Sequence, residues 1–225
     1  MELFYLIGIG FAVLGMIAQA QLKSRFARYS KQTLGSGLSG REVAERMLAD
    51  HQIRNVRVIS VPGQLTDHYN PANRTVNLSA DVYHGRNAAS AAVAAHECGH
   101  AVQHATSYRW LQTRSALVPM VSFAGNLLPW LLMAGILLLS RFPALLLVAI
   151  LLQAGVTLFT LVTLPVEYDA SRRALAWIRQ QGIARPNELE AARDALAWAA
   201  RTYVVAALAS VAQLVYLIML YSRRR

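Results

Sequence analysis

Cysteine is nearly absent from this chain: its 225 residues include one, Cys98. A single thiol excludes an intrachain disulfide and suits a reducing compartment. Acidic side chains are scarce as well, 12 against 22 Lys and Arg, for a net charge of +10. Charge of either sign is missing altogether from four stretches, residues 3–22, 116–139, 143–166 and 203–221. Each approaches or exceeds the ~20 apolar residues needed to cross a bilayer. That excludes an ordinary soluble domain and predicts transmembrane helices over 1–22, 116–139, 143–166 and 203–221. The chain has no internal repeat, no low-complexity tract, and no alternation of basic and aromatic residues of the kind that binds nucleic acid. The excess of positive charge therefore calls for another explanation.

Its distribution supplies one. Twelve of the 22 Lys and Arg lie in residues 23–114 and six in 172–201, leaving Arg141 and Arg223 to Arg225. Four crossings put the first two groups on one side, and the positive-inside rule makes that side the cytoplasm. The four remaining arginines are outvoted by eighteen. Residues flanking the crossings are expected to meet anionic headgroups of the bilayer. Ala18-Gln19-Ala20 resembles a signal-peptide cleavage site, but the start, Met1-Glu2, lacks the positive charge of a signal peptide. Lys23, Arg25, Arg28 and Lys31 follow the apolar run instead. The first crossing is expected to be an uncleaved anchor with its N-terminus outside.

Two stretches remain for the cytoplasmic face, 23–115 and 167–202. In the first, residues 40–51 place Val43, Ala44, Met47 and Leu48 at helical spacing. Residues 55–61 are β-branched and read as a strand, and 75–79 alternate polar and apolar as a second strand. The turn cluster Asn70-Pro71-Ala72-Asn73 lies between them. The strand over 75–79 is a possible exposed edge for pairing with an extended peptide. The second stretch reads as two short helices broken between Gly182 and Pro186, with Asn187 as a cap. Together these define a mainly α membrane protein, four transmembrane helices with a small α+β cytoplasmic domain.

The chemistry lies in His96-Glu97-Cys98-Gly99-His100. The preceding Ala88-Ala89-Ser90-Ala91-Ala92-Val93-Ala94-Ala95 favours helix, and Asn87 can cap it. A helix is predicted over 87–108. Histidines four apart project one turn apart from one helix face, where both imidazoles reach one zinc ion. Glu97 lies beside them, placed to take a proton from water. Cys98 belongs on the buried side as a small apolar residue. His104 continues the stripe but falls about 6 Å further along the axis, too far for the same ion, and is expected to pack. A catalytic zinc needs a third protein ligand and an open position. The third crossing returns Glu167 and Asp169 to the face that carries the motif, and either acid can serve.

The segments Leu65-Thr66-Asp67-His68-Tyr69, Leu78-Ser79 with Asp81-Val82-Tyr83 and Gly85-Arg86, Ala94-Ala95-His96-Glu97-Cys98-Gly99-His100-Ala101-Val102-Gln103-His104 and Pro165-Val166-Glu167-Tyr168-Asp169-Ala170-Ser171 carry a family resemblance. Through them the chain resembles the membrane zinc metallopeptidases of the YugP type, distant relatives of HtpX-like membrane proteases. The resemblance covers most of the chain. It implies a zincin-like cytoplasmic domain, a zinc-dependent endopeptidase with one Zn2+, His96, His100 and Glu167 as ligands, and Glu97 as the catalytic base. Many peptidases with a Glu ligand have an Asp four residues later that orients a ligand imidazole; Ser171 stands at that position here. Ser171 or Asp169 is left to do that work. His68, Tyr83, Tyr168 or an arginine is the candidate donor to the oxyanion.

The expected partners are a peptide or membrane-protein substrate and the lipid bilayer, with no nucleic acid. The expected location is the inner or plasma membrane as a multi-pass protein, acting on membrane or misfolded proteins from the cytoplasmic side. Two alternatives stand beside this expectation. One is cleavage within the bilayer by a site-2-type protease, which the Ala-rich helix flanked by Arg86 and Arg109 disfavours. The other is a non-catalytic scaffold around a structural metal, which would want four protein ligands.

Overall fold

The computed structural model describes residues 2–223, with side chains from residue 6 onward; Met1, Arg224 and Arg225 lie outside the described residues. The chain is mainly helical. In order it forms α1 (Glu2–Tyr29), α2 (Gly40–Asp50), β1 (Arg57–Val61), β2 (His68–Asn70), β3 (Thr75–Ser79), α3 (Ala80–His84), α4 (Ala88–Ala105), α5 (Arg109–Leu137), α6 (Pro143–Gln180) and α7 (Pro186–Ser222). It divides into two compact units: residues 1–18, 112–164 and 202–225 form the first, residues 19–111 and 165–201 the second.

The first unit holds the uncharged runs. Among the described residues, four helices are long and apolar enough to cross a membrane, within α1, α5, α6 and α7. Large apolar side chains such as Leu6, Trp130 and Leu151 point outward, as expected where the surrounding solvent is lipid. Inside this unit α6 and α7 are joined by a buried polar cluster. Thr157 Oγ1 lies 2.8 Å from Ser210 Oγ, and Gln153 Nε2 donates to that same oxygen at 3.1 Å. Such bonds hold membrane helices together where burial of apolar surface gives no net attraction.

The second unit is built on a three-stranded sheet of order β1-β3-β2. β3 runs parallel to β1 and antiparallel to β2, with Tyr69 opposite Val76. All five residues of β3 are buried. The strand over 75–79 is thus central, and the edge beside it is β2. β2 spans three residues and directly precedes a turn, too short to show an alternating pattern. α2 begins with a capping box: the Glu42 backbone donates to Ser39 Oγ at 3.3 Å, and the Ser39 backbone donates to Glu42 Oε2 at 2.7 Å. Its apolar face, Val43, Ala44, Met47 and Leu48, is buried in one core with Val76 and Leu78 of the sheet, the alanines of α4, and Trp177 and Ile178 of α6. Alanine along α4 lets these neighbours approach closely.

The helices expected over 167–202 are not short. α6 runs unbroken to Gln180 and α7 starts at Pro186, so the only break is the expected one. At 1.5 Å per residue the 38 residues of α6 extend roughly 57 Å, against ~30 Å of hydrocarbon. Only the uncharged part is needed to cross; the rest continues as helix because the residues after Pro165 are good helix formers. Nor is Asn187 the cap. Pro186 opens α7, and the Arg185 backbone N–H donates to Glu188 Oε2 at 2.8 Å. Pro at the first helical position, where its missing N–H costs nothing, puts the cap at Arg185, two residues earlier than Asn187.

Candidate metal centre

α4 spans Ala88–Ala105, and Asn87 caps it by accepting from the Ser90 backbone N–H at 2.9 Å. Its periodicity sets His96 and His100 one turn apart, with ring centroids 4.8 Å apart and planes at 83°. α6 supplies the third group. Glu167 Oε2 lies 3.2 Å from His96 Nε2 and 3.6 Å from His100 Nε2. Donor atoms of these three residues all fall within 4.8 Å of one another. Glu167 is 2% exposed, so its carboxylate is aimed inward at the imidazoles rather than into water.

The close approach of α4 and α6 depends on Gly99. A Cβ there would lie 2.7 Å from the Ala170 carbonyl oxygen and 3.1 Å from its Cα. Any side chain there forces one of the two helices to shift. The neighbouring Cys98 faces the opposite way: fully buried, it reaches Ala44 O at 3.5 Å, and burial pushes its thiol well above the ordinary cysteine range. It is the small apolar residue expected.

Each imidazole is held through its other nitrogen. His96 Nδ1 lies 3.1 Å from Ser171 Oγ, and His100 Nδ1 lies 3.0 Å from Gln103 Oε1. Gln103 Nε2 donates to Val166 O at 2.8 Å and to Asp169 Oδ2 at 3.0 Å. Both of those partners are pure acceptors, so the amide nitrogen of Gln103 faces them and its oxygen faces His100. His100 Nδ1 then carries a proton, which leaves Nε2 as the nitrogen that faces the centre. Asp169 in turn accepts from Arg173 Nε at 2.5 Å and from Arg172. Ser171 and Asp169 thus both act, on different imidazoles, Asp169 through Gln103. Gln103 escaped the sequence expectation; its signal is a Gln three residues after His100 on one helix, within reach of it.

Charges follow these contacts. Burial pushes the Glu167 carboxyl up, but hydrogen bonds and charge from His100 and His96 outweigh it and hold the group well below the usual carboxylate range. Burial lowers His100, yet Glu167 and then Glu97 raise it above the ordinary imidazole value on balance. Asp169 is raised by burial and lowered more by Arg173, Gln103 and Arg172.

Glu97 is buried beside the pair, and Oε2 accepts the Tyr69 backbone N–H of β2 at 2.9 Å. The Tyr69 hydroxyl lies 2.7 Å from His104 Nδ1. Tyr69 therefore ties the sheet edge to α4 at two points one helical turn or more apart, and it too escaped the sequence expectation. His104 is exposed and serves that tie, apart from the three-residue cluster. Asp67, just before β2, accepts the Ser79 backbone N–H at 2.7 Å. Burial raises Asp67, and the charge of Glu97 adds to the rise. Of the candidate oxyanion donors, His68 is exposed with Nδ1 2.8 Å from Thr66 O, Tyr83 lies under the Arg41 guanidinium at 5.6 Å, and Tyr168 is half exposed on α6.

Three ligand atoms on a tetrahedral zinc stand roughly 3.3 Å apart. The observed 3.2 and 3.6 Å separations match that spacing. Two imidazoles, one braced at Nδ1 by Gln103 and the other with Ser171 Oγ beside its Nδ1, plus one carboxylate, form the donor set zinc takes in catalytic sites. The residues present fit the ion.

The model of a family described as "Putative neutral zinc metallopeptidase" matches residues 4–222. A relative from Bacillus subtilis (strain 168), described as "Putative membrane protease YugP", is 41% identical over 223 residues, 99% of this chain and 98% of that protein. No solved structure matches.

Proposed function

The chain belongs to this family of zinc metallopeptidases, and from that premise we propose that it is a membrane-embedded zinc endopeptidase whose second unit is a zincin-like catalytic domain. It acts at the cytoplasmic face of the inner or plasma membrane on peptide bonds of membrane or misfolded proteins. The observation that carries this reading is the convergence of Glu167, 71 positions from His96, on the His96–His100 pair, beside Glu97 on the helix of that pair. In this reading His96, His100 and Glu167 hold one zinc, and Glu97 is the general base.

Zinc in that cradle would acidify water to a pKa of around 7 and polarise a scissile carbonyl. Glu97 takes the proton of the attacking water and returns it to the leaving amide nitrogen. The Tyr69 N–H holds one oxygen of Glu97, which limits the rotation of the carboxylate and leaves the other oxygen for the proton. Ser171 and Gln103 hold the imidazole planes, so the ligand atoms need no reorganisation when the ion binds. Arg172 and Arg173 balance Asp169, which keeps an extra negative charge away from His100.

Cleavage inside the bilayer is disfavoured because α4 is not among the helices long and apolar enough to cross. A structural metal is disfavoured because the cluster supplies three ligands and leaves a position open. The test is hydrolysis of β-casein by the full chain in nanodiscs, with zinc content measured in parallel. Glu97→Gln should keep zinc and lose hydrolysis; equal hydrolysis in that variant would end the enzyme reading. Glu167→Ala should lose zinc, and a full zinc complement there would remove Glu167 from the ligand set.

A further inference from the structure

Within the second unit, α6 and α7 separate into a groove of about 440 Å³. Its floor is apolar, with Leu175 of α6 and Leu189 and Leu196 of α7. Its rim carries Arg172, Arg179 and Arg193, and no acidic residue lines it. Arg172 is engaged by Asp169. Arg179 and Arg193 are exposed, and among the described residues neither guanidinium group has a hydrogen bond or an ion pair. At one end lie Tyr168 and Ser171. Tyr168 follows Glu167 directly, and Ser171 holds His96. The groove therefore opens onto residues that flank the candidate metal centre.

An apolar floor under two unpaired guanidinium groups fits an anionic, partly apolar chain. Two chemistries qualify, an anionic phospholipid and an acidic stretch of polypeptide, and distance separates them. Arg179 lies 13 residues beyond Val166, the end of the uncharged run, or roughly 20 Å along the helix. Arg193 precedes Thr202 by nine residues, roughly 14 Å. The headgroup layer is only about 5–8 Å deep on each side. Even a tilt of about 40° leaves the two arginines roughly 15 and 10 Å out, beyond the phosphates. An extended arginine side chain brings Arg193 back to the headgroups but leaves Arg179 at or beyond their edge, so a ligand that meets both arginines is a polypeptide.

We infer that this groove binds an acidic, apolar segment of the polypeptide substrate and thereby selects what reaches the metal centre. The inference rests on the peptidase reading above. Arg179 and Arg193 are binding residues in it, distant from the reacting atoms.

The test uses full-length Glu97→Gln protein in phosphatidylcholine nanodiscs, so that binding is read without hydrolysis. The probes are two fluorescein-labelled peptides, one alternating Glu and Leu, one alternating Lys and Leu, followed by anisotropy against empty discs. The Glu-Leu peptide should bind, more weakly as salt rises. The Lys-Leu peptide should not bind. The Arg179→Glu, Arg193→Glu pair should weaken Glu-Leu binding about tenfold. The Arg179→Gln, Arg193→Gln pair, with an unchanged melting temperature, should weaken it less, so that a folding defect in the first pair cannot mimic the result. Unchanged binding in both pairs, equal binding of the Lys-Leu peptide, or loss of binding in phosphatidylglycerol discs would each overturn the inference, the last in favour of lipid. Casein hydrolysis that depends on Glu97 while peptide binding ignores the arginines would sink the groove alone. Hydrolysis indifferent to Glu97 would sink the peptidase reading beneath it.

Discussion

Gly99→Ala tests whether the spacing of α4 and α6 governs the metal centre. The new Cβ would sit 2.7 Å from Ala170 O. An ordinary contact begins near 3.4 Å, so α6 must withdraw by roughly 0.7 Å. Overpacking of this kind costs about 1–3 kcal/mol. Alanine also favours helix over glycine by about 1 kcal/mol, which offsets part of that cost. Net stability should thus fall by only about 0–2 kcal/mol, and the protein should fold. The centre should suffer more. Glu167 lies three residues before Ala170, about 4.5 Å along the same rigid helix, and moves with it. A 0.7 Å retreat is a large fraction of the margin that brings Glu167 Oε2 within 3.2 and 3.6 Å of the imidazoles. Zinc affinity should fall ten- to hundredfold, the range seen when support of a ligand is lost. The measurement is competition for zinc against a fluorescent chelator, alongside thermal melting of the metal-free protein. Gly125→Ala is the control, since no atom lies within 4 Å of its added Cβ. Wild-type zinc affinity in Gly99→Ala would refute the claim that this contact sets the site.

Gln103→Leu keeps the volume but removes the acceptor for His100 Nδ1 and one of the donors to Asp169; zinc affinity should fall about ten- to hundredfold by chelator competition, and Ser171→Ala should do the same through His96. Burial holds Asp67 above the ordinary carboxylate value, with the charge of Glu97 adding to it. Its protonated form therefore favours the fold: that stability is present below the ordinary Asp value and is lost as pH rises through the raised one. Asp67→Asn should melt higher than wild type at pH 8, with the difference shrinking as pH falls toward the ordinary Asp value of 3.8; a difference that stays constant down to that pH would contradict the assignment. Ser39→Ala should destabilise the second unit by about 1 kcal/mol, through loss of the capping box of α2, readable as a lower urea midpoint with unchanged slope.

Much of the architecture was legible beforehand because it rests on local periods. The uncharged runs announced helices long enough to cross a membrane, and α2 and α4 occur within a few residues of the expected bounds. β2 was invisible, since three residues beside a turn carry no alternation, and its absence turned a central strand into an apparent edge. The helices at the break read as short in sequence because the change from apolar to amphipathic residues looks like an end. A helix needs only an uninterrupted backbone, and nothing between Pro165 and Gln180 interrupts it.

The sequence alone determined that two imidazoles and a carboxylate would share one helix. Their spacing is a property of 3.6 residues per turn, independent of the rest of the chain. Which acid joins them, and how each imidazole is oriented, was decided only by tertiary structure. Glu167 meets His96 across 71 positions, Ser171 across 75, and Gln103 meets Asp169 across 66. No local period relates such positions; they meet because Gly99 leaves room for α6 to pack directly against α4.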